Sequence, residues 1–504
     1  MAADYVADTA FAQQEKAKLI KSLRRFDMVF FTVCAFVGLD TLGIVADNGA
    51  QAFTWLAVLA ILFVAPYMLL MAEIGSSFPQ EGGPYEWMKL AWGRMTASIG
   101  AVLYWITNPI WVGGSLAFIA TEAWRINISS IGHGTAGDYL FKLAFIWLSI
   151  GVAIVSLRYG KWIPNLGAIL RIAVLGFFSF TVVIYAAKHG VHGFGGGDFA
   201  PSRAIFFALV PILLFNYVGF ELQNGAAEEM ENPKRDVPIS VLQSGTLGIL
   251  LYAVPVFLML LVLPQDQITG IGGFIDAVSK TFTVYGGAQG FLLDLMTLAF
   301  IGTLVTSGAV WMIGSDRVQA IAAADGAWFP WFGVFNKRFG TPVRVNVMSG
   351  LVSTAFTFVA IEWFNNGDDA SFAVVLTMAI STTLISYLFI FPTIVRLRHK
   401  FPNVERPYTV PFGMRGVWVG AILTTFWIAL GSWASVFPGT LEPVFGVDYG
   451  SFVEAWGVTR WKFEALTFGT LAIIVLLAVG GYLSATRTRS VVAPREVEVV
   501  PTAD

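Results

Sequence analysis

Apolar residues recur along the chain in runs of about twenty or more, separated by short polar stretches. A helix needs about 20 mostly apolar residues to cross the hydrocarbon core of a bilayer. The pattern predicts spans at 27–49, 52–77, 94–121, 138–157, 162–187 and 203–229. A second set follows at 238–263, 290–315, 344–361, 370–395, 414–437 and 463–485. Twelve is an even number, so both termini fall on one side. Residues 1–26 and 486–504 are left as polar tails, and the stretch after Arg489 reads as disordered.

Composition narrows the class. Charged residues make up 13% of the 504 and hydrophobic ones 56%, with mean hydropathy +0.70. Soluble domains carry about 25% charged residues, which excludes a water-soluble enzyme. A net charge of −2 has no basic excess for nucleic acid. The single cysteine, Cys34, excludes an intrachain disulfide framework and a cysteine metal site, and no cofactor or metal is expected. Because Cys34 lies in span 1, no disulfide-linked partner subunit is expected either.

Lys and Arg orient the chain. With the N-terminus inside, inner segments hold 23 of them and outer segments seven; Arg171, within span 5, completes the 31. Cytoplasmic loops are enriched in these residues, so both termini are expected in the cytosol. The first 26 residues are polar and end in Lys21-Ser22-Leu23-Arg24-Arg25, which predicts no cleavable signal peptide.

Two spans carry interruptions in matching places. Span 1 reads Gly38-Leu39-Asp40-Thr41-Leu42-Gly43, and span 6 reads Phe215-Asn216-Tyr217-Val218-Gly219-Phe220-Glu221. A charge at bilayer depth is costly and is tolerated where it faces a cavity or a partner. Glycine-interrupted spans at corresponding positions of two halves point to a transporter's midplane site, where unwound backbone can serve a substrate. Spans 1–5 (27–187) and 6–10 (203–395) supply two such halves. Five is odd, so the second half is inverted. Glycine as a plain close-packing residue is the alternative at either span.

Four stretches resemble the amino acid–polyamine–organocation transporters. They are Glu73-Ile74-Gly75 with Phe78-Pro79-Gln80-Glu81-Gly82-Gly83-Pro84-Tyr85; Gly219-Phe220-Glu221 through Glu228-Glu229-Met230-Glu231-Asn232-Pro233-Lys234-Arg235-Asp236; Arg317 with Ala324-Asp325-Gly326 and Pro330; and Gly340-Thr341-Pro342. Their order and spacing extend over residues 25–400. The resemblance implies an all-α fold of ten core helices in a 5+5 inverted repeat, with broken helices 1 and 6. Two peripheral helices (414–485) and alternating access around a site between spans 1 and 6 complete it.

It also implies that a substrate carboxylate binds near Gly38, Thr41, Leu42 and Gly43, and an amine near Phe215, Asn216, Val218 and Gly219. Phe215 falls where the family often has a gating aromatic. Thr303 and Ser307 match positions where sodium-coupled relatives place hydroxyl oxygens on the ion; hydrogen bonding between helices is the alternative. Arg171 resembles a span 5 lysine that substitutes for sodium. A guanidinium keeps its proton, so it would be a fixed cation, unless it snorkels to the surface.

Asp40 departs from the usual span 1 pattern. It either attracts a second amine, caps freed N–H groups or binds a proton, and with Glu221 it is the candidate for coupling. Asp294 is the remaining span acid, and His133, His189, His192 and His399 all fall in connections. The layer of Glu73, Glu81, Glu228, Glu229, Lys234, Arg235 and Asp236 is expected to close the inner side by ion pairs. No hydrolase or channel signature is present. The expected protein is a plasma-membrane amino acid carrier, proton-linked or exchanging, with a polyamine or other organic-amine carrier as the alternative.

Overall fold

The structure, a computed structural model, describes residues 7–159, 162–191, 193–264, 268, 272–363 and 368–492. His192, named above, lies outside the described residues. Ten helices among the described residues are long and apolar enough to cross a membrane, running from Ala50–Ser77 to Arg460–Ser484. Spans 1 and 6 are the two interrupted ones, so the chain is the all-α, twelve-span membrane protein expected.

Span 1 is helical over Arg25–Phe36, leaves helical geometry at Val37 (ψ 83°) and resumes over Leu42–Asp47. A side chain on Gly38 would place its Cβ 2.7 Å from the Asp40 carboxylate, so glycine here leaves that group in place without a shift. Span 6 is helical over Arg203–Asn216 and continues as a tighter turn over Leu222–Glu229. Between them Gly219 takes φ +124°, a region that favours glycine, with Trp311 3.0 Å from where a Cβ would be. Both breaks thus follow from local chemistry.

Wide turns at Ala60–Val64 and Val112–Leu116 interrupt spans 2 and 3. Such turns leave carbonyls free for other partners, and Thr357 Oγ1 donates to the Gly113 carbonyl (2.6 Å). Helices Gly83–Trp92 and Gly273–Thr281 fill connections that the apolar pattern left as loops.

The polar tails need correction. Residues 7–23 are packed against the face that carries both termini, and Ala10 N–H donates to the Val491 carbonyl (2.9 Å). Arg489 Nη1 donates to the Gly326 carbonyl (2.7 Å), so the chain stays docked past Arg489; residues 493–504 lie outside the described residues. The physical reason is charge matching. The strap carries Asp8, Glu15 and Lys16, which besides local pairs reach Lys89, Phe335 N–H and Glu86 far off in sequence, and a hydropathy pattern registers only their polarity.

Candidate functional site

A cavity of about 20 Å³ lies where the two interrupted spans meet spans 3, 8 and 10. Asp40 enters it from span 1, Phe215 and Asn216 from span 6, Trp111 from span 3, Trp311 from span 8 and Thr383 from span 10. Asp40 is 4% exposed, and its Oδ2 accepts from Trp111 Nε1 (2.9 Å). It is the one lining residue with a formal charge. The carboxylate stands two residues before helix Leu42–Asp47, at the end of a half-helix that favours an anion. Trp111 meets Phe215 and Trp311 edge-on, with ring centroids 6.1 and 6.5 Å apart. One carboxylate among three aromatic rings is a cation-binding chemistry.

The sequence-derived site residues divide. Gly38, Asp40, Phe215, Asn216 and Val218 line the cavity, whereas Thr41, Leu42, Gly43 and Gly219 do not. Thr41 Oγ1 donates to Asn216 Oδ1 (3.0 Å) and pairs with the Tyr252 hydroxyl, fastening the two breaks together. Leu42 is core. Gly43 packs on the backbone of Gly273, whose Cα would lie 2.9 Å from an added Cβ. Gly219 N–H donates to the Tyr67 hydroxyl (3.0 Å). Trp111, Trp311, Asn108 and Thr383 also line the cavity and go unmarked by the sequence pattern, because no charge in spans 3, 8 or 10 stands beside them as Asp40 and Glu221 do in the broken spans.

Glu221, three residues beyond the lining Val218, is fully buried and does not line the cavity. Tyr104 and Tyr387 donate to its Oε1 (2.7 and 2.6 Å), and Tyr67 donates to Oε2. Three hydroxyls from spans 2, 3 and 10 therefore satisfy one buried acid.

Arg171 is fully buried and does not reach the surface. Its Nε donates to the Val37 carbonyl (3.0 Å), at the end of the first half of span 1. Its Nη atoms donate to the Thr303 carbonyl (2.9 Å), Thr306 Oγ1 (3.2 Å), Cys34 Sγ (3.0 Å) and Ser307 Oγ. A positive charge thus bridges the end of a half-helix, which favours a cation, to span 8. Thr303 contributes its carbonyl here, while its hydroxyl bonds Phe300.

The terminal face is sealed by ion pairs. Arg317 holds Glu229 (2.8 Å) with Glu81 at 3.5 Å, and Arg398 holds Glu73 (2.5 Å). Burial, and then Glu229 beside it, push the Glu81 carboxyl well above its ordinary range. Lys234 and Asp236 pair elsewhere, with Glu405 and Arg25. The N-terminal strap completes the layer. Thr9 N–H donates to Asp325 Oδ1 (2.8 Å), and Asp8 pairs with Lys89 (2.5 Å) and Lys16 (3.0 Å).

Burial alone would raise the Asp8 carboxyl, but Lys89 and Lys16 outweigh it and hold Asp8 below the ordinary carboxylate range. A depressed folded value makes the contribution of Asp8 fully present above its unfolded value, about 3.9, and lost as pH falls through the folded one. The melting difference between the wild-type protein and Asp8→Asn is therefore expected to be constant from about pH 7 to 5. It should shrink only below about pH 4. A difference that already vanishes at pH 6 would contradict this ion pairing.

No group of three or more metal-ligating side chains occurs among the described residues. A family model described as amino acid permease matches residues 23–453. A protein of Lactococcus lactis subsp. lactis (strain IL1403) named as a probable agmatine/putrescine antiporter is 25% identical over 387 residues, 76% of this chain and 81% of the relative. An uncharacterized transporter of Legionella pneumophila subsp. pneumophila (strain Philadelphia 1) is 27% identical over 406 residues, 78% of this chain and 84% of the relative. A glutamate/gamma-aminobutyrate antiporter of the same Lactococcus strain is 24% identical over 376 residues, 70% of this chain and 71% of the relative.

Proposed function

Since the chain belongs to the amino acid permease family, whose members are transporters and not enzymes, we propose that it exchanges small organic amines across the plasma membrane by alternating access. The observation that carries this reading is Asp40. The cavity already holds a carboxylate at the half-helix end where a substrate carboxylate would bind, and no basic side chain lines it. An amino acid would bring a second negative charge against Asp40, whereas an ammonium pairs with it over aromatic walls. Two relatives are named as antiporters, which supports exchange; one, named as a probable agmatine/putrescine antiporter, supports amines, whereas the other is named for glutamate and gamma-aminobutyrate.

In this reading the halves 27–187 and 203–395 move against each other. Both termini face the cytosol, Glu221 and the ion layer form the inner closure, and Arg171 is a fixed cation where sodium sits in coupled relatives. The amino-acid reading retains one supporting feature: Asn216 Nδ2 is buried without a partner at the cavity, a donor suited to a carboxylate.

Proteoliposomes loaded with putrescine decide between them. External putrescine or agmatine is expected to drive release of labelled internal putrescine, and their α-carboxylated counterparts, ornithine and arginine, to drive at most a tenth as much. Exchange with ornithine and arginine but not the amines would sink the amine reading.

A further inference from the structure

On the face away from the termini lies a second cavity, of about 390 Å³, that shares no residue with the central one. It is bounded by the first half of span 6, span 10, the end of span 11 and the segment that follows span 11. Its walls are largely apolar, with rings from Phe207, Phe372, Tyr449 and Trp456. Two carboxylates reach this lining: Glu442, 7% exposed, and the exposed Asp448, whose Oδ1 accepts from Gly450 N–H (3.0 Å).

The backbone of Glu442 is well occupied: its carbonyl accepts from Phe445 N–H (3.1 Å) and Val447 N–H (2.9 Å), which fixes the turn. Its carboxylate is different. Among the described residues it accepts no hydrogen bond from a side chain or backbone N–H and forms no ion pair. Arg460, the cation near Tyr449, is engaged elsewhere. It bonds the Pro438 carbonyl (3.2 Å), pairs with Glu464 (3.5 Å) and lies over the Phe452 ring (4.6 Å). The Tyr449 hydroxyl accepts from Trp456 Nε1 and donates to no described residue. A buried carboxylate with no donor is costly unless a cation or donors reach it.

We propose that this cavity is a second binding site, distinct from the central one, for an organic ammonium ion with an apolar body. The ammonium donates to the Glu442 carboxylate, and the rings of Tyr449 and Trp456 offer their negative faces to the charge. The apolar body packs on Phe207, Leu376 and Ile380. The site does not depend on which substrate the central cavity takes.

Phenethylamine, protonated at neutral pH, is the probe. Its binding to the purified full-length protein is measured by calorimetry in Asp40→Asn, which removes the central ammonium partner, alone and combined with one of two further changes. Glu442→Gln removes the Glu442 charge but keeps the shape, and Ala373→Phe fills the cavity but keeps the charge. Binding is expected in Asp40→Asn and at least tenfold weaker when Glu442→Gln or Ala373→Phe is added. No binding to Asp40→Asn would overturn the proposal. So would undiminished affinity after either added change. The putrescine exchange assay is a separate readout, so failure of the central-site reading would leave this result intact.

Discussion

Asp40→Asn is expected to raise the half-saturating concentration of putrescine by about 100-fold or more, because removing one partner of a buried charge pair costs roughly 2–5 kcal/mol. The substitution keeps the side chain's size and an oxygen to accept from Trp111 Nε1, so the break in span 1 is expected to hold. What it removes is the one formal charge lining the cavity. The effect should therefore be on amine recognition, with the melting temperature of the unliganded protein nearly unchanged. Initial rates of labelled putrescine exchange in proteoliposomes, taken over a concentration series, check it. A variant that exchanges putrescine with wild-type kinetics would show that Asp40 serves the backbone and not the substrate.

The second large effect is at Arg171. Its guanidinium donates to the carbonyls of Val37 and Thr303 and to hydroxyls of Thr306 and Ser307, all buried. Arg171→Ala withdraws all these donors at once. Each buried acceptor left unpaired costs about 1–3 kcal/mol, so the loss should exceed ~3 kcal/mol and appear as a large fall in melting temperature. The vacated space would be lined by oxygens, which suit a hard cation. Sodium, but not choline, is thus expected to recover part of the melting temperature of Arg171→Ala, and to leave the wild-type protein unaffected. Arg171→Lys should not behave as wild type, since three donors on a flexible stem cannot span the same acceptors. A sodium requirement for wild-type exchange would refute the fixed-cation reading.

The two effects differ in how far the sequence foretold them. Asp40 and Glu221 were visible because a carboxylate bracketed by glycines is anomalous in an apolar run, and the breaks occur there. Arg171 stood out for the same reason, as a charge inside a span, yet its partners could be chosen only by the fold. Trp111 and Trp311 gave no signal. Aromatic residues are ordinary in membrane helices, and these two acquire a role by packing across the cavity from spans 200 residues apart in the chain. Helix Gly83–Trp92 was read as a loop because it is amphipathic and short. Its buried Glu86 and Lys89 pair with each other and, across the fold, with Lys16, Asp8 and Asp325. Local pattern thus found the spans and their anomalies, whereas everything that depends on which helix faces which required the assembled fold.

The docked N-terminal strap also bears on how the protein is made. Residues 7–16 are made before their docking partners: Glu86 and Lys89 follow after two spans, Asp325 after eight, and Val491 after twelve. Domains made early in synthesis usually fold early, yet this segment must wait for all twelve spans. Until then its Asp8–Lys16 and Glu15–Lys18 pairs stand outside the bilayer without the partners that dock them. A docked strap is accordingly a mark of finished assembly, and a nascent or truncated chain exposes it to whatever inspects unfinished membrane proteins.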